Sequence, residues 1–364
     1  MPYLYITELA TLTDFCRKIA SSSRWIAIDT EFVRTDTYYP ELSLIQIQGE
    51  QGDAAIIDPL KIENLTPVWD ILSNPEITKV FHSARQDLEV LYQVAGQLPV
   101  SIFDTQIAAV FMRHGDLVGL ARIIEAELDF QMPKDQTRTN WHQRPLTDQQ
   151  LEYAIDDVRY LAPLYEKIQH TLSVEQLSVL EQDFQALLNV DLYRIQPETA
   201  GDKIKAARHL SPKSKAICYR LAEWRESYAQ QHNKPKKWTL SDDALIAIAK
   251  RPPKTVQALY KVPNIKPSSV KAFGDQWIEI IDEVFTHPET WPEKTAKPVV
   301  PTPQEEVLIT LGYALCQQTA IEYGIQLNNI ANKQQLLAMI QSPQTDTLSG
   351  WRHYLIERPF RQLL

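Results

Sequence analysis

The segment Trp25-Ile26-Ala27-Ile28-Asp29-Thr30-Glu31-Phe32 is an apolar run that ends in two carboxylates spaced one residue apart. The run reads as a buried β-strand. Side chains alternate faces along a strand, so Asp29 and Glu31 project from the same side, roughly 7 Å apart at about 3.3 Å rise per residue. Two carboxylates held that close repel each other unless a cation lies between them. Hard oxygen ligands on a rigid strand suit Mg²⁺ or Mn²⁺ rather than zinc. The Asp-x-Glu pattern by itself carries little weight, because Asp87-Leu88-Glu89 repeats it in the same chain. Its meaning rests on the apolar run before it and the acids that follow.

Around this strand the pattern predicts an α/β layer. Residues 3–6 read as a short strand. Leu12, Phe15, Cys16 and Ile19 lie at helical spacing, after a cap at Thr11. Residues 43–48 alternate and predict a half-buried strand, and residues 54–57 the next one, closed by Asp58-Pro59. A short helix over 65–72, a strand over 78–81 and a helix over 83–94 follow. Residues 100–103 form a further strand, with Asp104 capping a helix over 105–113. Strands in hairpin order, then strands alternating with helices, predict a mixed β-sheet flanked by helices.

Two later segments supply further acids. Asp87 lies in the first turns of the helix after the 78–81 strand, where a carboxylate gains from the helix dipole. An ordinary helix N-terminal acid would look the same, and His82 beside it reads as a strand-end histidine. In Leu151-Glu152-Tyr153-Ala154-Ile155-Asp156-Asp157, a helix begun by Thr147 with Gln150 in capping-box position, Tyr153 and Asp157 share a face. A tyrosine of pKa about 10 is a poor general base at neutral pH. It can instead hold a water that bound metal has acidified. Asp156 lies about 100° round that helix and reads as a partner of Arg159.

Asp29-x-Glu31 on a strand, Asp87 after a strand–helix turn and Tyr153-x-x-x-Asp157 on a later helix resemble the three exonuclease motifs of the DEDD superfamily, tyrosine branch. Glu152 occupies the position at which the histidine branch carries His. Trp25–Phe32, Phe81-His82-Ser83-Ala84-Arg85-Gln86-Asp87-Leu88-Glu89-Val90-Leu91, Phe103-Asp104-Thr105-Gln106-Ile107-Ala108-Ala109 and Lys134-Asp135-Gln136-Thr137-Arg138-Thr139-Asn140-Trp141 further resemble the ribonuclease D family. The resemblance implies an RNase H-like fold and 3′→5′ exoribonuclease activity with two divalent metal ions, Mg²⁺ or Mn²⁺. Carried over, Asp29, Glu31, Asp87 and Asp157 are the metal carboxylates, with Asp29 bridging both ions. Tyr153 orients the attacking water, and Glu31 also contacts the terminal 3′-hydroxyl. The family implies nucleoside 5′-monophosphate products from tRNA precursors and other small structured RNAs. Two other classes would keep the same acids: a DNA 3′→5′ exonuclease of proofreading type, and an RNA-binding protein that has lost catalysis.

Beyond about residue 170 the pattern turns helical. Residues 1–200 form the expected exonuclease domain. Residues 208–288 resemble an HRDC domain, with Ser241 capping one of its helices. Residues 289–303 read as a Pro-rich linker, and 304–364 as a second, divergent HRDC-like helical module. The net charge of −9 hides an asymmetry: residues 1–200 carry 15 basic and 30 acidic side chains, residues 201–300 carry 18 and 11. An acidic, cation-binding part beside a basic part fits an enzyme that binds a polyanion. Lys134, Arg138 and Trp141 in one loop, and Lys234, Lys236, Lys237 and Trp238 in another, are the RNA-contact candidates. Three scattered cysteines exclude a disulfide framework, and no apolar run is long enough to span a membrane. No Gly-x-x-x-x-Gly-Lys loop points to a nucleotide cofactor. The expected setting is a cytoplasmic monomer.

Overall fold

The computed structural model describes residues 2–133, 139–293 and 299–364. Six strands, β1 (Leu4–Ile6), β2 (Trp25–Val33), β3 (Glu41–Gly49), β4 (Ala54–Ile57), β5 (Thr78–Phe81) and β6 (Ile102–Asp104), form one mixed sheet in the order β1-β4-β3-β2-β5-β6. β3 runs antiparallel to both β2 and β4, and the remaining pairs are parallel. The sheet of the expected α/β class is present. One expectation changes: β3 is not half-buried. Leu42–Gly49 are buried throughout, including Gln46 and Gln48, because the strand is interior to the sheet and helices cover both faces.

The helices of this layer are α1 (Leu9–Ser22), α2 (Thr66–Leu72), α3 (Arg85–Ala95), α4 (Thr105–Ala108), α5 (Leu120–Leu128), α6 (Asp148–Thr171) and α7 (Val174–Leu187). α6 packs across β2, β3 and β4, while α3 packs on β2 and β3. α1 starts earlier than its apolar spacing implies: Glu8 is the N-cap without a side-chain bond, so Thr11 does not cap it. α4 stops at Ala108 rather than near residue 113, where the backbone turns through the left-handed Arg113 and Gly115.

The chain divides into two compact units, residues 1–33, 41–190 and 300–364 in one, and 34–40 and 191–299 in the other. The first unit therefore includes the C-terminal helices, α13 (Pro303–Tyr323), α14 (Lys333–Gln341) and a helical run over 350–363, which pack on the α/β layer itself. They are fastened at several points. A Cβ on Gly115 would sit 2.4 Å from the Gly324 carbonyl oxygen, so the close approach requires glycine at 115, while Gly324 meets it with positive φ. Beside this contact Arg113 pairs with Glu322 at 2.9 Å, and Asp116 accepts from Asn329 at 2.7 Å. On α7, Asp183 accepts the Trp351 N–H at 2.9 Å.

The second unit is a helical module of α8 (Pro212–Gln231), α9 (Lys236–Thr239), α10 (Asp242–Lys250), α11 (Val256–Leu259) and α12 (Pro267–Thr286). Ser211 and Ser241 cap α8 and α10, with prolines opening α8 and α12 at positions where their missing N–H costs nothing. Its core gathers Ile217, Leu221, Leu245, Ile248, Val270 and Trp277.

Candidate active site

β2 carries Asp29 and Glu31 to the point where the sheet opens. Its parallel pairing with β5 ends at the Ala27–Val80 rung, so Asp29 stands just past the last rung. There β5 gives way to a turn that leads into α3. Asp104 holds this turn: its carboxylate accepts Ser83 N–H at 3.0 Å and Ala84 N–H at 2.8 Å while also capping α4 through Gln106. The cap expected of Asp104 is thus present, and it additionally fixes the start of the helix that bears Asp87. His82 is satisfied by Thr105 and the Val118 carbonyl, both at 2.9 Å, and burial pushes its pKa down. It takes no part in the site.

Asp29, Glu31 and Asp157 each offer a carboxylate oxygen, and these oxygens lie within 4.8 Å of one another. α6 therefore covers the face on which Asp29 and Glu31 project. Asp87 is not in that triplet. It is 7% exposed, and its Oδ1 accepts the Thr30 hydroxyl at 2.6 Å. Burial, and then the neighbouring Asp29 charge, push the Asp87 carboxyl well above its ordinary range. Burial, and then Asp157, do the same to Asp29. Crowded, desolvated carboxylates with raised pKa values and an all-oxygen donor set fit a divalent cation, whose charge would offset both penalties.

The other half of the site comes from α6. Thr147 and Gln150 form the predicted capping box, with Gln150 N–H donating to Thr147 Oγ1 at 3.2 Å and Thr147 N–H to Gln150 Oε1 at 2.9 Å. Tyr153 lies one turn ahead of Asp157. Asp156 pairs with Arg159 at 2.5 Å, as its position on the helix implied.

Trp141 requires a correction. It is 2% exposed and stacks on the Tyr153 ring, with centroids 6.1 Å apart and planes 29° apart. With no open face it cannot stack an RNA base, and it instead supports Tyr153. The loop that carries it is anchored by Arg144, which contacts both oxygens of the fully buried Asp58 at 2.6 and 2.9 Å. The same guanidinium donates to the Trp141 carbonyl at 2.6 Å. Burial alone would raise the Asp58 pKa, but hydrogen bonds from Arg144 and Tyr5 outweigh it and hold the carboxyl low. Lys134 and Arg138 lie outside the described residues.

In the helical unit, Lys234, Lys237 and Trp238 are exposed, with the Lys234 ammonium 5.8 Å from the Trp238 ring centroid. Lys236 differs: it pairs at 3.1 Å with the buried Glu226, which also accepts the Tyr38 hydroxyl, so its charge is compensated inside the fold. This ion pair sets Lys236 apart from the exposed Lys234 and Lys237.

Thr30 and Arg144 were not among the residues expected at the site. Thr30 stands between the two acids of β2, which was the available signal for it. Nothing local to Arg144 points to Asp58, 86 residues away.

Residues 3–173 match a family model described as 3′-5′ exonuclease, and residues 214–281 one described as HRDC domain. A curated Ribonuclease D from Pseudomonas paraeruginosa is 34% identical over 358 residues, covering 96% of this chain and 94% of the relative. Another from Jannaschia sp. is 38% identical over 266 residues, covering 72% and 68%. The crystal structure of Escherichia coli RNase D, described as an exoribonuclease involved in structured RNA processing, superposes with a TM-score of 0.81 at 30% identity, covering 100% of this chain and 99% of that one.

Proposed function

Because this chain belongs to the ribonuclease D family and is a 3′→5′ exoribonuclease, we propose that it trims RNA 3′ ends by a two-metal mechanism and releases nucleoside 5′-monophosphates. The observation that carries this reading is the convergence of Asp29, Glu31 and Asp157 within 4.8 Å, one helical turn from Tyr153. Asp29, Glu31, Asp87 and Asp157 would hold Mg²⁺ or Mn²⁺. When bound, such cations would acidify a water and offset the charge that builds on the attacking and leaving oxygens. The Tyr153 hydroxyl, its ring fixed against Trp141, orients the attacking water toward the terminal phosphodiester. Water oxygen bonds to phosphorus and the P–O3′ bond breaks, leaving a 3′-hydroxyl on the shortened RNA and a 5′-phosphate on the released nucleotide. Glu31 also contacts the terminal 3′-hydroxyl, which directs cleavage to chain ends.

Residues 208–288 bind the RNA backbone in this reading, supported by 16 basic against 4 acidic residues between Lys203 and Lys271. The substrates are tRNA precursors and other small structured RNAs, a proposal supported by the involvement of the Escherichia coli relative in structured RNA processing. Three buried thiols, Cys16, Cys218 and Cys316, with no disulfide among them, support a reducing cytoplasmic setting. The test is Mg²⁺-dependent digestion of a 3′-hydroxyl RNA beside its 3′-phosphorylated counterpart. Faster digestion of the 3′-hydroxyl form is expected; equal rates would argue against end recognition by Glu31.

A further inference from the structure

The sheet face that carries Asp29 holds a buried polar group to which the mechanism gives no role. Gln46 is the residue directly opposite Asp29 in the antiparallel β2–β3 ladder. Opposed residues project from the same face, with Cβ atoms about 4.5–5.5 Å apart. Gln46 is 0% exposed, and neither its Nε2 nor its Oε1 has a hydrogen-bond partner among the described residues. Leaving such a group unpaired in a low-dielectric interior costs stability, and an apolar side chain of similar size would avoid that cost. A group that penalises the resting fold, placed across from the central carboxylate of a site, fits a functional requirement better than a packing one. Gln48 offers an internal comparison: it lies on the same face, opposite Ala27, and its Oε1 is likewise buried and unpaired among those residues.

We propose that Gln46 is a positioning residue for Asp29: when a divalent cation is bound, Gln46 Nε2 donates a hydrogen bond to an Asp29 carboxylate oxygen and fixes the orientation in which Asp29 meets the cation. Metal-ligating carboxylates are themselves hydrogen-bonded by the shell behind them, and losing such a partner weakens metal affinity about 10–100-fold. The inference deepens the metal-site reading above and rests on it.

The experiment compares wild-type chain, Gln46→Met and Gln48→Met. Mn²⁺ affinity is measured by calorimetric titration, and melting temperature is measured without metal. Gln46→Met is expected to bind Mn²⁺ at least about tenfold more weakly while melting no lower than wild type, because it exchanges an unpaired amide for an apolar group. Gln48→Met is expected to bind Mn²⁺ as wild type does. Wild-type affinity in Gln46→Met, or equal weakening in both variants, would overturn the assignment. Failure of the wild-type chain to bind Mn²⁺ would instead strike the metal-site reading itself. Should Gln46→Met not fold, a crystal structure of the wild-type chain with Mn²⁺ decides. Nε2 within about 3.2 Å of an Asp29 oxygen supports the proposal; an amide bonded elsewhere refutes it.

Discussion

Thr30 Oγ1 donates to Asp87 Oδ1 at 2.6 Å, so the residue between the two acids of β2 is the one that holds the third acid. Thr30 projects from the opposite face of β2 to Asp29 and Glu31. The strand thus presents two carboxylates on one side and grips another from the other side. Thr30→Val keeps the shape and removes the donor. Leaving this buried acceptor without its donor should cost about 1–3 kcal/mol, read as a lower denaturant midpoint, with a fall in nucleotide release. Unchanged stability and activity would show that Asp87 needs no such tether.

The link from Asp58 through Arg144 to Trp141 and Tyr153 gives a second expectation. Arg144→Met leaves Asp58 buried without its cationic partner, with the Tyr5 hydroxyl still donating to it, a change of about 3–5 kcal/mol for pairs of this kind. Asp58, held low by its partners, contributes stability that is present above the unfolded carboxylate pKa and lost as pH falls through the folded one. The variant should therefore lose most relative to wild type at neutral pH and less in acid. A difference in melting temperature that does not narrow on acidification would contradict this.

How much of this was legible in the sequence follows from the range over which each signal acts. β2, the acids Asp29 and Glu31, the Thr147–Gln150 capping box and the Asp104 cap all depend on neighbours a few residues away, and each can be read locally. The burial of β3 cannot, because alternation in one strand does not say whether both faces will be covered. Trp141 misleads for a related reason: an aromatic beside basic residues looks the same whether its ring faces solvent or Tyr153. Lys236 likewise gives no sign of Glu226, which lies on α8. The packing of 304–364 on the exonuclease layer depends on backbone contacts such as Gly115–Gly324, for which the sequence offers only two isolated glycines.

That C-terminal attachment carries a pH dependence. Burial pushes the Asp183 carboxyl up to about 6 where it accepts the Trp351 N–H. A carboxylate raised on folding binds more protons in the native state between about pH 4, its unfolded value, and that raised value. Its contribution to stability therefore falls as pH rises through this window. Asp183→Asn, which keeps an acceptor oxygen, should melt higher relative to wild type at about pH 7.5 than at about pH 4. A melting difference that is flat or reversed across that range would contradict the assignment.

The exposed Lys234 and Lys237 provide an expectation for RNA binding. If each neutralises a phosphate, Lys237→Ala should weaken binding alike for unrelated sequences and reduce the salt slope by about 1. Lys236→Ala, by contrast, should act mainly on stability through Glu226. Fluorescence anisotropy over a salt series, with thermal melts, separates the two. A slope change confined to Lys236→Ala would reverse the roles given to these lysines.

The most direct test of the central claim is product analysis on a 3′-extended tRNA precursor with Mg²⁺ or Mn²⁺, comparing wild type with Asp29→Asn. The expected result is stepwise release of nucleoside 5′-monophosphates from the 3′ end by the wild-type chain. Asp29→Asn should fold normally and release none. Substantial nucleotide release by folded Asp29→Asn would contradict it.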